Sequence, residues 1–313
     1  MKQKYLNIFF QVIAIVLIIR IFFYENADFS KLYFLYSYNI LLLFLLAIFA
    51  KLIITFLFFL LLNLVSSKKN SFINTSSFFL EGGIINQILP GLGFVYKYYK
   101  LNNDSNISAG EYATAQSIWS IFIFTAYIAL AIFFGYTRIS FSFISWIVLV
   151  FGLSIVTVFL LIFKDRIFFI FKNFLLKIQK INSFLTELKK IKDKLKDQVF
   201  YLIAIFCGFI FLGLLQCFNF FIGLIFFGGE VSFISSNYIF ISSSLASIIT
   251  MVNFFGLFEL ILYVSSSIFV PNLKDILIFA FAFRLINITA TFSIILFFSA
   301  WKVIRRLGVI KTR

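Results

Sequence analysis

NILLLFLLAIFAKLIITFLFFLLLNLV, the stretch Asn39–Val65, carries a single charged side chain, Lys51, in an otherwise apolar run. A bilayer core about 30 Å thick needs roughly 20 apolar residues in an α-helix. This stretch is longer than that, so it spans with tilt. Apolar residues occupy every face of the helix it would form, which suits lipid or a core and not water.

Runs of the same kind recur at 6–23, 113–134, 141–163, 199–227 and 276–298. Of the 313 residues, 62% are hydrophobic and 12% are charged. A soluble domain carries roughly 25% charged residues, and this chain has too few to cover itself in water. The expected fold class is all-α: a polytopic membrane helix bundle with about six full spans, built as a single transmembrane domain over residues 1–313. The first run follows Lys2 and Lys4 and has no small-x-small cleavage site, so it reads as a retained helix.

Two regions are apolar but interrupted. The first, 72–99, holds Glu81, Gly82, Gly83, Asn86, Gln87, Pro90, Gly91 and Gly93. The second, 231–270, holds several Ser residues, then Asn253, Gly256 and Glu259. Irregular backbone at membrane depth survives only inside protein or beside a wet cavity. Both regions are therefore expected to form re-entrant hairpins. Each falls among the spans of its own half of the chain, a layout compatible with an inverted repeat.

The formal net charge is +15. In a soluble protein it would point to nucleic acid. In a membrane protein, Lys and Arg collect on cytoplasmic loops and face anionic lipid. No nucleic-acid partner is expected here. The basic segments around 68–100, 164–196 and 302–313 alternate with poorly charged ones, which places both termini in the cytoplasm. Lys, Ile, Asn and Phe share A/T-rich codons, which points to a low-GC bacterium and hence to the bacterial cytoplasmic membrane.

Residues 164–198 differ from the rest. Phe171, Phe174, Ile178, Ile181, Leu185, Leu188 and Leu195 recur at helical steps, and the opposite face is mostly Lys. Three readings of this basic amphipathic cytoplasmic helix stand. It lies on anionic lipid of the inner leaflet, it folds back on its own bundle, or it docks a membrane enzyme partner.

Ionisable groups inside a bilayer need a partner or a purpose. The interior candidates are Lys51, Glu81, Glu259 and Arg284. Glu259 lies 12 residues before Pro271 and Arg284 lies 9 after Asp275, so both reach similar depth from the same side at about 1.5 Å per residue. They are expected to pair. Such a pair either fixes helix packing or positions Arg284 to bind an anionic headgroup. In the first hairpin, Asn86 precedes a Pro-Gly tip, and Lys97 and Lys100 share a helix face at a spacing of three. With Tyr96, Tyr98 and Tyr99 beside them, they suit either a phosphate headgroup or an ordinary interfacial anchor. Asn253 holds the matching place in the second hairpin.

Several chemistries are disfavoured. The chain has no His, which removes imidazole relays and most zinc sites. It has no Walker-type loop, no G-x-S-x-G and no H-E-x-x-H. No cofactor and no metal are expected. Cys207 and Cys217, ten helical residues apart, are about 15 Å distant and too far for a disulfide; both read as packing residues.

Asn86-Gln-Ile-Leu-Pro-Gly-Leu-Gly-Phe-Val-Tyr-Lys-Tyr-Tyr-Lys-Leu101, followed by Asn106-Ile-Ser and Glu111-Tyr-Ala, resembles the first signature of a known family. Asn253-Phe-Phe-Gly-Leu-Phe-Glu259, with Arg284 in the next helix, resembles the second. The family is the flippase-like transmembrane domain of lysylphosphatidylglycerol synthetases and its stand-alone relatives. It usually has Arg soon after the Pro, then Gly and an acidic residue, then a second Arg. Here Leu92 takes the first Arg position, Phe94 and Val95 replace the Gly-acid pair, and Lys97 stands near the last Arg. The resemblance implies binding or movement of a membrane lipid or a polyprenyl-phosphate-linked sugar, with Asn86, Lys97, Lys100, Asn253, Glu259 and Arg284 as substrate-binding residues. The soluble aminoacyl-transfer domain has no counterpart here, so a transporter-like or accessory protein is expected and not an enzyme. Two alternatives remain open at this point. One is a non-catalytic subunit that recruits a glycosyltransferase or lipid-modifying enzyme through the basic helix. The other is an integral membrane transferase with Glu259 or Glu81 as base.

Overall fold

The computed structural model describes residues 38–88, 92–136, 191, 195, 197–229, 231–249, 259, 262–264, 266 and 276–306. Every regular element among them is α-helical. In chain order these are α1 (Asn39–Val65), α2 (Phe72–Ile88), α3 (Leu92–Ser105), α4 (Ala109–Tyr136), α5 (Val199–Phe226), α6 (Phe233–Ile249) and α7 (Ile276–Arg306). Four helices are long and apolar enough to cross a membrane: α1, α4, α5 and α7. They coincide with four of the six expected spans. The other two runs, 6–23 and 141–163, lie outside the described residues, as does nearly all of the basic segment 164–198. Ile191 and Leu195 of that segment are helical.

The described parts of α2 and α6, at 17 residues each, reach about 26 Å. Helix α2 is described as far as Ile88; residues 89–91, with Pro90, lie outside the described residues. Gly82 and Gly83 lie inside α2 and do not break it.

The described residues divide into two compact units. The first draws on Met1–Leu52, Phe79–Phe94 and Gly213–Arg313; the second draws on Ile53–Phe78 and Val95–Leu212. Each has its own aromatic core.

In the first unit the centre is Phe220 of α5. Its ring meets Phe240 of α6 at 4.9 Å and Phe279 and Phe283 of α7 at 5.3 and 5.5 Å. The approach depends on Gly223, where a Cβ would stand 3.0 Å from the Phe279 ring. Helix α1 joins through Leu43 and Ala47, which pack with Ile286 and Ala290 of α7. The turn out of α5 ends in a Schellman motif: Gly228 N–H donates to Ile225 O at 3.0 Å and Gly229 N–H to Leu224 O at 2.9 Å. Gly228 has φ 86°, a value glycine adopts without a Cβ penalty. Ser232 then caps α6 by accepting from the N–H of Ser235.

In the second unit, Phe122 of α4 meets Phe206 and Phe209 of α5 at 5.4 and 6.1 Å. Tyr112 of α4 lies against Phe58 of α1 and Tyr98 of α3. Phe72 at the start of α2 packs edge-on to Phe56 and Phe59 of α1.

The outward faces are apolar. On α7, Phe281, Leu285, Phe292 and Leu296 are exposed while Phe283, Ile286, Ala290 and Ile294 are buried. Such a helix suits hydrocarbon on one side and protein on the other. Its polar side chains turn back on their own helix: Thr289, Thr291 and Ser293 each donate to the carbonyl four residues earlier. This satisfies their hydroxyls without water. Both cysteines are free; Cys217 is buried, whereas Cys207 is exposed on α5 and packs against nothing that covers it.

Candidate functional site

Glu259 and Arg284 both belong to the first unit. Arg284 lies in α7, eight residues after its first residue Ile276, so it sits about 12 Å into the helix. Its Nε lies 2.7 Å from Oε1 of Glu259, with side chains 15% and 6% exposed respectively. The expected pair is therefore formed. Desolvating two charges costs several kcal/mol each, and close geometry offsets that cost only while both partners remain. Once formed, such a pair is electrically neutral, but the guanidinium has further N–H donors for a second anion.

The same unit buries two amides that were not singled out from the sequence. Asn219 of α5 and Asn237 of α6 are 2% and 0% exposed. Oδ1 of Asn219, and both Oδ1 and Nδ2 of Asn237, have no hydrogen-bond partner among the described residues. Asn219 adjoins Phe220, Asn237 lies one turn before Phe240, and Arg284 follows Phe283; those three rings are in contact. The signal of the two asparagines in the sequence is a lone amide within an apolar run, which by itself does not tell a buried face from an exposed one.

Asn86 is half-buried near the end of α2. A Cβ at Gly93 would collide with the carbonyl of Gly82 and stand 2.7 Å from Cβ of Asn86. The first turn of α3 therefore presses directly on the last turns of α2. This places Asn86 at the contact between α2 and α3; the Pro-Gly tip itself lies outside the described residues.

Lys97 and Lys100 lie on α3 within the second unit. Lys100 Nζ is 5.6 Å from the centroid of the Tyr96 ring, a cation–π contact. Lys97 is half-buried, and burial pushes its ammonium down to about 8. The three departures from the family pattern, Leu92, Phe94 and Val95, are all exposed. Asn253 lies outside the described residues.

Glu111 has a structural task. It closes a capping box with Ser108: Glu111 N–H donates to Ser108 Oγ at 3.1 Å, and Ser108 N–H donates to Glu111 Oε2 at 3.0 Å. Its other oxygen accepts from Ser67 N–H at 2.6 Å. The Glu111-Tyr-Ala element of the first signature thus ties the α1–α2 loop to the start of α4.

Among the described residues, no group of three or more Cys, Asp or Glu side chains comes together in a way that would hold a metal ion. Comparison of the chain with protein-family models, curated proteins and solved structures finds no match, so the likeness to the flippase-like domain stands on the residues quoted above.

Proposed function

We propose that the chain is a flippase-like protein of the bacterial cytoplasmic membrane that binds and moves an anionic lipid or a lipid-linked sugar. The observation that carries the reading is the Glu259–Arg284 pair, 2.7 Å apart and largely buried in a bundle of apolar helices. An ion pair in such a place is a functional-site hypothesis by default. Arginine suits it because its planar fork meets phosphate with two N–H groups at once. Glu259 holds the guanidinium while no phosphate is bound. A phosphate oxygen replaces or joins the carboxylate when one arrives. Lys97 and Lys100, with Tyr96 beside them, serve as a first contact for the headgroup. Two apolar regions with interrupted sequence, 72–99 and 231–270, each in its own half of the chain, agree with an alternating-access arrangement. No covalent step is needed.

The test is scrambling of fluorescent anionic lipids and polyprenyl-phosphate analogues in proteoliposomes. Wild type should move at least one of them. Arg284→Ala and Glu259→Gln, inserted in equal amounts, should move it at less than a tenth of that rate. Wild-type rates from Arg284→Ala would sink the reading. No movement across the whole panel would also sink it and leave the recruiting-subunit alternative.

A further inference from the structure

We propose that Asn287 is a specificity-determining residue, whose side-chain oxygen accepts a hydrogen bond from a hydroxyl of the headgroup that Arg284 holds by its phosphate. The inference rests on the reading of the chain as a lipid-handling protein. It adds a substrate class, a phosphodiester of a polyol or a sugar.

Helix α7 presents three faces. Phe281, Leu285, Phe292 and Leu296 are exposed. Phe279 and Phe283 meet Phe220 of α5. A third stripe runs through Leu277, Ala280, Arg284, Asn287 and Thr291, at alternating steps of three and four. Arg284 meets Glu259 from this stripe, so the stripe turns toward protein. Leu277, Ala280 and Thr291 are 4%, 1% and 7% exposed. Arg284 keeps 15% of its side chain accessible, and Asn287 is half-buried. The stripe is thus closed at both ends and accessible in the middle, where a guanidinium and an amide stand one turn apart. Asn287 is 11 residues beyond Ile276, about 16.5 Å along the helix. A hydrocarbon layer about 30 Å thick puts it near mid-depth.

The amide is only partly satisfied. Thr289, Thr291 and Ser293 each spend their one proton on the carbonyl four residues earlier. Asn287 does the same, its Nδ2 donating to Phe283 O at 2.9 Å. A hydroxyl has one proton to place, but a primary amide also has an oxygen with two lone pairs. Only the nitrogen can donate to a carbonyl, so this bond fixes how the amide faces and turns Oδ1 away from that carbonyl. Oδ1 accepts no hydrogen bond among the described residues. An acceptor without a donor, away from water, is unfavourable.

The neighbour decides which donor suits it. An ammonium would be repelled by the guanidinium one turn away; a hydroxyl is uncharged and is not. Cβ atoms three residues apart on a helix are about 5–6 Å apart, comparable to the separation of a phosphate from a hydroxyl on the alcohol it esterifies. Arg284 N–H groups meet the phosphate, and Asn287 Oδ1 meets the hydroxyl. The shared chemistry is a phosphodiester with a free hydroxyl beside it, from a glycerol headgroup or from a lipid-linked sugar. A site built to bond a hydroxyl rejects the analogue without one, because its own polar group is then stranded.

The experiment is thermal unfolding of the full-length protein in a polyoxyethylene detergent, which brings no sugar. The probes are dihexanoyl-phosphatidylglycerol, the glucosyl phosphodiester of a short prenol, and dihexanoyl-phosphatidylmethanol. The last has the same charge and no free hydroxyl. For wild type, phosphatidylmethanol should need at least about tenfold more lipid than the better hydroxyl-bearing probe for the same rise in midpoint. That better probe names the source of the hydroxyl. Asn287→Leu should lose the difference, with its response to phosphatidylmethanol unchanged, and Arg284→Ala should respond to none of the three. Should Asn287→Leu fail to fold, Asn287→Ala gives the same comparison. Equal wild-type responses to all three probes, a difference retained in Asn287→Leu, or equal weakening of that variant toward every probe overturns the proposal. Responses that need Arg284 and ignore Asn287 sink this inference alone. No response to any phosphodiester overturns it together with the lipid-binding reading. Discrimination through Asn287 in a protein that scrambles nothing sinks the translocase reading alone.

Discussion

The backbone N–H of Ser67 donates to Oε1 of Glu111 at 2.6 Å, across 44 residues of chain. The same carboxylate accepts from Ser108 through its other oxygen. One side chain therefore caps α4 and anchors the preceding loop. Glu111→Ala removes the acceptor for two backbone N–H groups. A lost cap costs about 0.5–2 kcal/mol and a stranded donor about 1–3 kcal/mol. Glu111→Ala should lower the thermal midpoint in detergent by several degrees, and Glu111→Gln, which keeps one acceptor oxygen, by less. Equal midpoints for wild type and Glu111→Ala would contradict the assignment.

Gly93 and Gly83 make a paired test of the α2–α3 hairpin. A Cβ at Gly93 meets the backbone of Gly82, whereas a Cβ at Gly83 meets nothing within 4 Å. Backbone cannot step aside as a flexible side chain can. Gly93→Ala should lower the folded yield and the midpoint strongly. Gly83→Ala should be neutral or stabilising by roughly 0.5–1 kcal/mol, since alanine is the better helix former. Fluorescence-detected size-exclusion of the two variants decides between them; the reverse order would refute the hairpin packing.

The ion pair predicts non-additivity. Glu259→Gln leaves the Arg284 guanidinium buried without its counter-charge, at a cost of about 3–5 kcal/mol. Arg284→Met alone strands the carboxylate at a similar cost. The double variant removes both charges, and such replacements are often neutral. Its midpoint should therefore lie above that of either single variant. A double variant as unstable as the sum of the singles would mean that the two side chains do not depend on each other.

Lys97 gives stability a pH dependence of known sign. Burial pulls its ammonium from the usual 10.5 down to about 8. Between those values the unfolded chain binds the extra proton, so this group's contribution to stability rises with pH from about 8 to 10.5. Below that window the cost of burying the charge is present in full. Wild type should melt below Lys97→Met at pH 7, and the two midpoints should converge by pH 10. Curves that stay parallel across this range would refute it.

Four spans were legible in the sequence, two of them to within a residue, while the helices at 113–134 and 276–298 run on to Ala109–Tyr136 and Ile276–Arg306. Asn39–Val65 was read as one run and is one helix. Its apolar length allows no other arrangement in lipid, because every backbone N–H must find a partner within the segment. The pairing of Glu259 with Arg284 was legible too, from two charges of opposite sign at similar depth.

Facing was a different matter. Hydrophobicity reports that a residue avoids water and says nothing of whether lipid or protein covers it. Asn219 and Asn237 looked like any amide in an apolar run until α5, α6 and α7 packed around Phe220 and enclosed them. Cys207 and Cys217 read alike, yet one is exposed and the other buried. Glu111 read as a signature residue, and only the fold brought Ser67 to it. The sequence by itself determined which of the described segments form helices long and apolar enough to cross a membrane, because the backbone's hydrogen bonds are settled within each helix. Beyond the Glu259–Arg284 pair, the tertiary structure alone decided which polar groups meet, because contacts across helices depend on rotation about each axis, and an apolar residue on every face leaves that rotation open.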